Sequence, residues 1–209
     1  MNRIFIIQTW IMFGCILLSF VLWYVMFVHP PLNFWLLMSI STSVLAIISL
    51  FLRFPPIEPE ELTWKHFWIG VLSAIGLYII FMVGNKVSGW IIPGKVSQLA
   101  EIYNKRQSLP HSIVALLLFF PIGLGEELFW RGLVQRIASV RWGWKNGFLF
   151  TAFFYTAVHL STGNIMLIGA AFVCGCFWGL LYWRTNSIVP CLISHMLWDP
   201  LIMVIMPIK

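Results

Sequence analysis

The sequence has 209 residues, of which 60% are hydrophobic and 10% are charged, and its mean hydropathy is +0.91. This composition excludes an ordinary soluble domain, in which about 25% of the residues are charged, and it indicates an integral membrane protein. The formal net charge is +6, but the basic residues stand singly between hydrophobic runs and do not form a nucleic-acid-binding cluster. Lysine and arginine at the ends of membrane spans explain them better, so we expect a lipid bilayer and no nucleic acid as a partner.

Hydrophobic segments follow one another along the chain, separated by short stretches rich in proline, glycine, asparagine and charged residues. The first is too long for a signal peptide and lacks a small-residue cleavage site, so we expect it to remain as a span. The predicted fold class is all-α, a polytopic transmembrane helical bundle of about seven spans with an internal polar active-site cavity, in a single domain over residues 1–209. The predicted spans are residues 4–28, 32–52, 67–85, 112–138, 144–161, 164–183 and 187–206.

Most tryptophans lie near the ends of these spans, where an amphipathic ring suits the membrane interface. The tryptophans interpreted in this way are Trp10, Trp23, Trp35, Trp64, Trp68, Trp90, Trp142, Trp144, Trp183 and Trp198. The lysine and arginine residues of the loops, counted by side of the membrane, favour a cytoplasmic N-terminus.

The longest connection, residues 86–110, has mixed polarity. We expect a partly amphipathic interfacial connection with an amphipathic helix within residues 96–106, which either borders a substrate entrance or is a surface linker. The run Gly89–Lys95 has the spacing of a phosphate-binding loop, but Val96 stands where Ser or Thr should bind magnesium, and no strand precedes the run. We therefore predict no nucleotide as a partner.

Several ionisable residues lie inside the predicted spans, where a charge at the bilayer centre costs from about 3 to more than 10 kcal/mol. They are Glu126, Glu127, Arg131, His159, His195 and Asp199. Such residues are expected to face the interior of the bundle, to pair with one another or to line a wet cavity, and by default they mark a functional site. A polar packing network between helices is the alternative interpretation.

Residues four apart share one face of a helix. Glu127 and Arg131 can therefore form an ion pair that lowers the cost of burial. Glu126 lies about 100° away around the helix and points towards neighbouring helices. The other pairs with this spacing are Tyr155 with His159 and His195 with Asp199.

Three of these side chains are predicted at a similar depth. Glu126, His159 and His195 each stand about 10 to 14 residues from a basic loop on the same side of the membrane, or roughly 15 to 21 Å at the helical rise. This common depth is what a shared site requires.

The order and spacing of these residues carry a resemblance to a known family. Glu126–Arg131 reads as EExxxR, Tyr155–His159 looks like FxxxH, and His195–Asp199 looks like HxxxN/D. Together they resemble the CPBP family of intramembrane proteases, which includes the Ras-converting CAAX proteases and the bacterial Abi proteins. The resemblance covers residues 112–206, the predicted motif-bearing catalytic helices, whereas the first three spans match only as hydrophobic helices.

This resemblance implies an endopeptidase that hydrolyses a peptide bond of a membrane-associated peptide or protein, in which Glu126 and His159 activate a water molecule. The residues that it implies for the support of the site are Glu127, Arg131 and His195, with Asp199 at the oxyanion. We accordingly expect a peptide or membrane-protein substrate and a multi-pass location in a bacterial plasma membrane.

Two residues depart from the family pattern. Tyr155 replaces the usual Phe and adds a hydroxyl that needs a partner. Asp199 stands where many relatives have Asn, and because an ionised carboxylate repels an oxyanion, we expect it to be protonated, paired or bound to a metal. The site offers donors that zinc accepts, yet no HExxH motif is present. We favour a metal-free glutamate mechanism without a cofactor and keep a divalent metal such as zinc as the alternative.

Two other functions compete with proteolysis. A noncatalytic membrane scaffold or immunity protein would retain the same fold, although it has no need to bury an unpaired Glu126. A small transporter or proton relay would also use intramembrane Glu and His, but paired inverted repeats with broken helices are not visible in the sequence.

Overall fold

The computed structural model describes residues 3–52 and 57–208, and within these ranges every regular element is helical. The helices are α1 (Arg3–Val28), α2 (Phe34–Phe51), α3 (Trp64–Ile91), α4 (Lys95–Asn104), α5 (His111–Trp142), α6 (Trp144–Ala157), α7 (Ile165–Thr185) and α8 (Val189–Ile205). The predicted all-α, polytopic helical bundle is confirmed.

Five helices are long and apolar enough to cross a membrane, namely α1, α2, α3, α5 and α7. The helix α6 has 14 residues and rises about 21 Å, which is less than the roughly 30 Å of a hydrocarbon core. The helix α8 is also shorter than the other five. The predicted span 144–161 therefore extends beyond the helix that forms there, which ends at Ala157.

Two further predictions about these segments were wrong. The helix α3 continues to Ile91, so the first residues of the predicted 86–110 connection are helical, and α4 occupies the region where an amphipathic helix was expected. The predicted span 112–138 is interrupted at Phe120, whose φ of −154° and ψ of 119° are extended. The following Pro121 explains the break, because proline lacks a backbone donor and disfavours helical geometry in the residue before it.

The ends of the helices follow from local side-chain chemistry. Asn33 and Asn164 cap α2 and α7 by accepting hydrogen bonds from backbone amides of the first turn. Gly143, at a φ of 83°, separates α5 from α6 in a conformation that a side chain would oppose.

Two glycines allow the helices around the ionisable residues to approach closely. A Cβ atom at Gly125 would lie 2.9 Å from the carbonyl oxygen of Thr42, so α5 packs directly on the backbone of α2. A Cβ atom at Gly175 would lie 3.1 Å from the ring of Tyr155, where α7 meets α6. The absence of side chains at these positions brings the motif-bearing helices together.

The interface interpretation of the tryptophans was wrong for three of them. Trp23, Trp35 and Trp198 are only 0%, 2% and 7% exposed. Trp23 and Trp35 find hydrogen-bond acceptors inside the protein, which removes the cost of burying the indole N–H. Trp64 and Trp90, at 78% and 86% exposure, do fit the interface interpretation.

Candidate active site

A partly open cavity of about 390 Å³ lies between the helices. Most of its wall is apolar and comes from α1, α2, α3, α4, α7 and α8. The ionisable and phenolic side chains that reach it from the three motifs are Glu126, Tyr155, His159, His195 and Asp199. Three segments that are distant in sequence, in α5, at the end of α6 and in α8, thus place their polar side chains at the same cavity.

Behind this wall, Glu127 and Arg131 form the ion pair expected from their spacing. Arg131 Nη1 donates to Glu127 Oε1 at 2.8 Å, and both side chains are fully buried. Arg131 Nη2 also donates to the backbone oxygen of Gly175 at 3.2 Å, which ties α5 to α7. The paired charges and these added bonds offset much of the cost of burying the ions.

His195 connects this ion pair to Asp199. Its Nδ1 lies 2.8 Å from Glu127 Oε1 and its Nε2 lies 3.2 Å from Asp199 Oδ2. Since an ionised carboxylate only accepts hydrogen bonds, two ionised partners are both satisfied when each ring nitrogen carries a proton. Trp178 stacks on the imidazole with ring centroids 3.8 Å apart and planes at 16°. Asp199 is therefore paired, one of the three states expected for it.

Glu126 has a different environment from Glu127. The hydroxyl of Tyr155 donates to Glu126 Oε2 at 2.9 Å, and within the described ranges this is the only hydrogen bond of that side chain. The extra hydroxyl that distinguishes Tyr155 from the family's Phe has therefore found its partner. The second carboxylate oxygen of Glu126, Oε1, is left for a molecule in the cavity.

His159 does not lie on a helix face with Tyr155, because α6 ends at Ala157. Its Nδ1 instead lies 2.8 Å from the backbone oxygen of Tyr155, one of the carbonyls left free at the end of the helix. Trp23 Nε1 lies 3.3 Å from His159 Nε2. A carbonyl can only accept and an indole N–H can only donate, so these contacts place the proton on Nδ1 and the lone pair on Nε2.

Two residues that hold the site in place were not among the site residues predicted from the sequence. Tyr155 binds Glu126 through its hydroxyl and His159 through its carbonyl oxygen, and its departure from the family motif was a signal for the first of these contacts. Trp23 contacts His159 from α1. Nothing in the apolar sequence of α1 distinguishes this tryptophan from its neighbours, so no sequence signal was present.

The donor atoms can be compared with those of a zinc site. Both nitrogens of His195 face carboxylates, so its ring has no lone pair to offer in this arrangement. The donors that remain towards the cavity are Glu126 Oε1, His159 Nε2, which is shared with Trp23, and the second carboxylate oxygen of Asp199. Across residues 3–52 and 57–208, no three His, Cys, Asp or Glu side chains are grouped as metal ligands. The three protein ligands of a typical catalytic zinc are not assembled here.

The fold and the site together define an integral membrane protein whose helices place carboxylates and histidines around a cavity between them. Residues 106–201 match the sequence model of the family described as type II CAAX prenyl endopeptidase Rce1-like. This match confirms the resemblance to CAAX-type intramembrane proteases that the three motifs indicated, and all three motifs lie inside it. No curated protein and no solved structure matches the chain.

Proposed function

We propose that this protein is an intramembrane endopeptidase in which Glu126 and His159 activate the water that attacks a peptide bond of a membrane-associated peptide or protein. The observation that carries the proposal is the arrangement around Tyr155. This single residue binds both Glu126 and His159 at the wall of one cavity. A base and a hydrogen-bonding imidazole held in place are the elements of general base catalysis.

The chemistry requires one water molecule. The water donates one hydrogen bond to Glu126 Oε1 and the other to His159 Nε2, an acceptor that it shares with Trp23 Nε1. Its oxygen attacks the carbonyl carbon while Glu126 accepts a proton. The tetrahedral intermediate then breaks its C–N bond as this proton passes to the leaving amine, which yields a carboxylic acid and an amine.

The remaining motif residues support this step. Arg131 and His195 hold Glu127 in the protein interior, and Asp199 holds His195. The positive charge of the His195 ring at the cavity wall stabilises negative charge that develops on the attacked carbonyl. We propose this role for His195, because an ionised Asp199 at the oxyanion would oppose the reaction.

The same donor arrangement supports a metal-free mechanism. Zinc would be held by Glu126 and His159, where it would lower the pKa of a bound water. Most catalytic zinc sites have three protein ligands, and among the described residues the free oxygen of Asp199 is not grouped with this pair as a third ligand. Proteolysis is therefore expected to persist in the presence of a chelator, and activity that is lost to a chelator and restored only by zinc would contradict the metal-free mechanism.

The test compares Glu126→Gln with Glu60→Gln, the same chemical change at an exposed position. Both variants are reconstituted in lipid vesicles with a fluorogenic prenylated CAAX peptide, the substrate type that the family match suggests. Cleavage by Glu126→Gln should fall by about 10²–10⁴-fold, while Glu60→Gln retains the wild-type rate. Full-rate cleavage by Glu126→Gln would remove Glu126 from the mechanism. Peptide binding without cleavage by any of the proteins would favour a noncatalytic scaffold.

A further inference from the structure

The cavity contains one cation that the proposed chemistry does not use. Among the described residues that line it, Lys105 is the only lysine or arginine. The ammonium Nζ lies 4.9 Å from the ring centre of Phe34 and 5.5 Å from that of Phe27. No carboxylate in the described ranges lies within ion-pair distance of it, since the ion pairs found there involve Arg131, Arg136 and His195.

The backbone of Lys105 is held firmly in place. Its carbonyl oxygen accepts hydrogen bonds from Trp35 Nε1 at 2.9 Å and from Ser108 Oγ at 3.0 Å. The next residue, Arg106, donates from Nη1 to the backbone oxygen of Met203 at 3.0 Å. The connection that follows α4 is thus fastened to both α2 and α8, and the lysine side chain is presented to the cavity from a fixed point.

One phenyl ring separates this ammonium from the proposed catalytic histidine. The ring centre of Phe27 lies 5.5 Å from Lys105 Nζ and 6.3 Å from the ring centre of His159. An extended peptide advances about 3.3 Å per residue. A chain end bound at Lys105 would therefore lie only a few residues from a bond placed next to His159.

The charged groups of the cavity differ in their pairing. Glu126, Asp199 and Lys105 all line it, and the ring of Phe27 lies between Lys105 and His159. The ring of His195 is already paired with Glu127 and Asp199, whereas no carboxylate of the described residues pairs with Lys105, so the lysine is the cation available to a negatively charged group in the cavity. The faces of the Phe27 and Phe34 rings attract the ammonium of Lys105 and leave its other donors for a second partner.

From this geometry we infer that Lys105 binds the free α-carboxylate of a peptide that lies along the apolar wall of the cavity. The lysine thereby selects substrates by their carboxyl terminus and fixes the direction in which they lie. The inference deepens the proposed function and rests on it, because it assigns the orientation of the peptide that Glu126 and His159 cleave.

A binding measurement tests this inference apart from catalysis. The Glu126→Gln protein is reconstituted in phosphatidylcholine vesicles, and a fluorescent apolar peptide is titrated in two forms, with a free carboxyl terminus and with a carboxamide. The Kd for the free acid should be about five- to tenfold lower than for the amide. The substitution Lys105→Gln should remove this difference, Lys105→Arg should keep most of it, and Lys65→Gln, at an exposed position on α3, should leave it unchanged.

Equal Kd values for the two peptides, or a preference that survives Lys105→Gln, would overturn the inference. Vesicles containing phosphatidylglycerol separate the peptide carboxylate from a lipid headgroup. An effect of Lys105→Gln on lipid binding with no difference between acid and amide would also overturn it. The binding measurement uses the Glu126→Gln protein throughout, so its result does not depend on whether the wild-type protein cleaves peptides. Conversely, a negative binding result does not affect the interpretation of the proteolysis assay.

Discussion

The helices α1–α3 and the segment 106–201 contribute differently to the same cavity. The segment 106–201 supplies every carboxylate and imidazole that lines it, whereas α1–α3 supply mainly apolar wall, including Phe27, Trp35 and Phe81. Among the described residues, the one hydrogen bond from α1–α3 to the proposed catalytic pair is donated by Trp23 Nε1, and the ring of Phe27 also lies 6.3 Å from that of His159. The ionisable groups and the apolar wall of the cavity thus come from different parts of the chain. Substitutions in the two parts should therefore affect stability and kcat to different extents.

The largest effect is expected in the motif-bearing segment, at Arg131. The substitution Arg131→Leu leaves Glu127 buried without its guanidinium, which should cost about 3–5 kcal/mol of unfolding free energy. Denaturant unfolding in detergent measures this loss. The exposed Arg141 provides the control, because Arg141→Leu should change stability by less than about 0.5 kcal/mol. Equal stability of the two variants would show that the ion pair contributes little.

The second prediction concerns Tyr155. The substitution Tyr155→Phe removes the hydrogen bond to the Glu126 carboxylate, and bonds to charged groups contribute about 1.5–3 kcal/mol. The value of kcat should therefore fall by roughly 10- to 150-fold with KM nearly unchanged, since the hydroxyl positions the base and not the substrate. The exposed Tyr24 gives the matched control Tyr24→Phe. A wild-type kcat for Tyr155→Phe would show that Glu126 is positioned without this bond.

The third prediction concerns α3, which packs along α8. A Cβ atom at Gly70 would lie 2.7 Å from the Cβ of Ile193 and 3.0 Å from the backbone oxygen of Pro190. Gly70→Ala should therefore destabilise the protein by about 1–3 kcal/mol through overpacking. On the same helix, Gly76 has open space around it, so Gly76→Ala should leave the unfolding transition unchanged or raise it. Tolerance of both substitutions would mean that α3 is free to shift away from α8.

The smallest effect is expected at Trp23. The substitution Trp23→Phe keeps most of the aromatic packing and removes one hydrogen bond to a neutral imidazole, worth about 0.5–1.5 kcal/mol. The value of kcat should fall by roughly 2- to 12-fold, and stability should change little. Trp10, also on α1 and 71% exposed, supplies the control Trp10→Phe. If kcat falls no further in Trp23→Phe than in Trp10→Phe, α1 contributes only to the packing of the cavity wall.

The comparison between the two parts of the chain also explains what the sequence could predict. Ionisable residues inside apolar runs are conspicuous, so Glu126, Glu127, Arg131, His159, His195 and Asp199 could be selected without coordinates. The four-residue spacing predicted the contacts of Glu127 with Arg131 and of His195 with Asp199, which the structure contains. Hydropathy predicted a polytopic helical bundle, since only closed backbone hydrogen bonding is stable in lipid.

The remaining features depend on tertiary packing that periodicity does not encode. Trp23 and Trp35 look like interfacial tryptophans in the sequence, and only the arrangement of helices places His159 and the Lys105 carbonyl beside them. The contact between His195 and Glu127 joins residues 68 positions apart. The end of α6 before His159 escaped prediction because no proline or glycine marks it, and hydrophobicity continues through Leu160.

The most direct test of the central claim follows the oxygen atom of the attacking water. A single turnover of the reconstituted wild-type enzyme in ¹⁸O-labelled water should place one ¹⁸O atom in the new carboxyl terminus of the peptide and leave the side chain of Glu126 unlabelled, as expected when Glu126 activates water. Recovery of ¹⁸O in the Glu126 carboxylate would identify this residue as a nucleophile that forms a covalent intermediate, and would contradict the account.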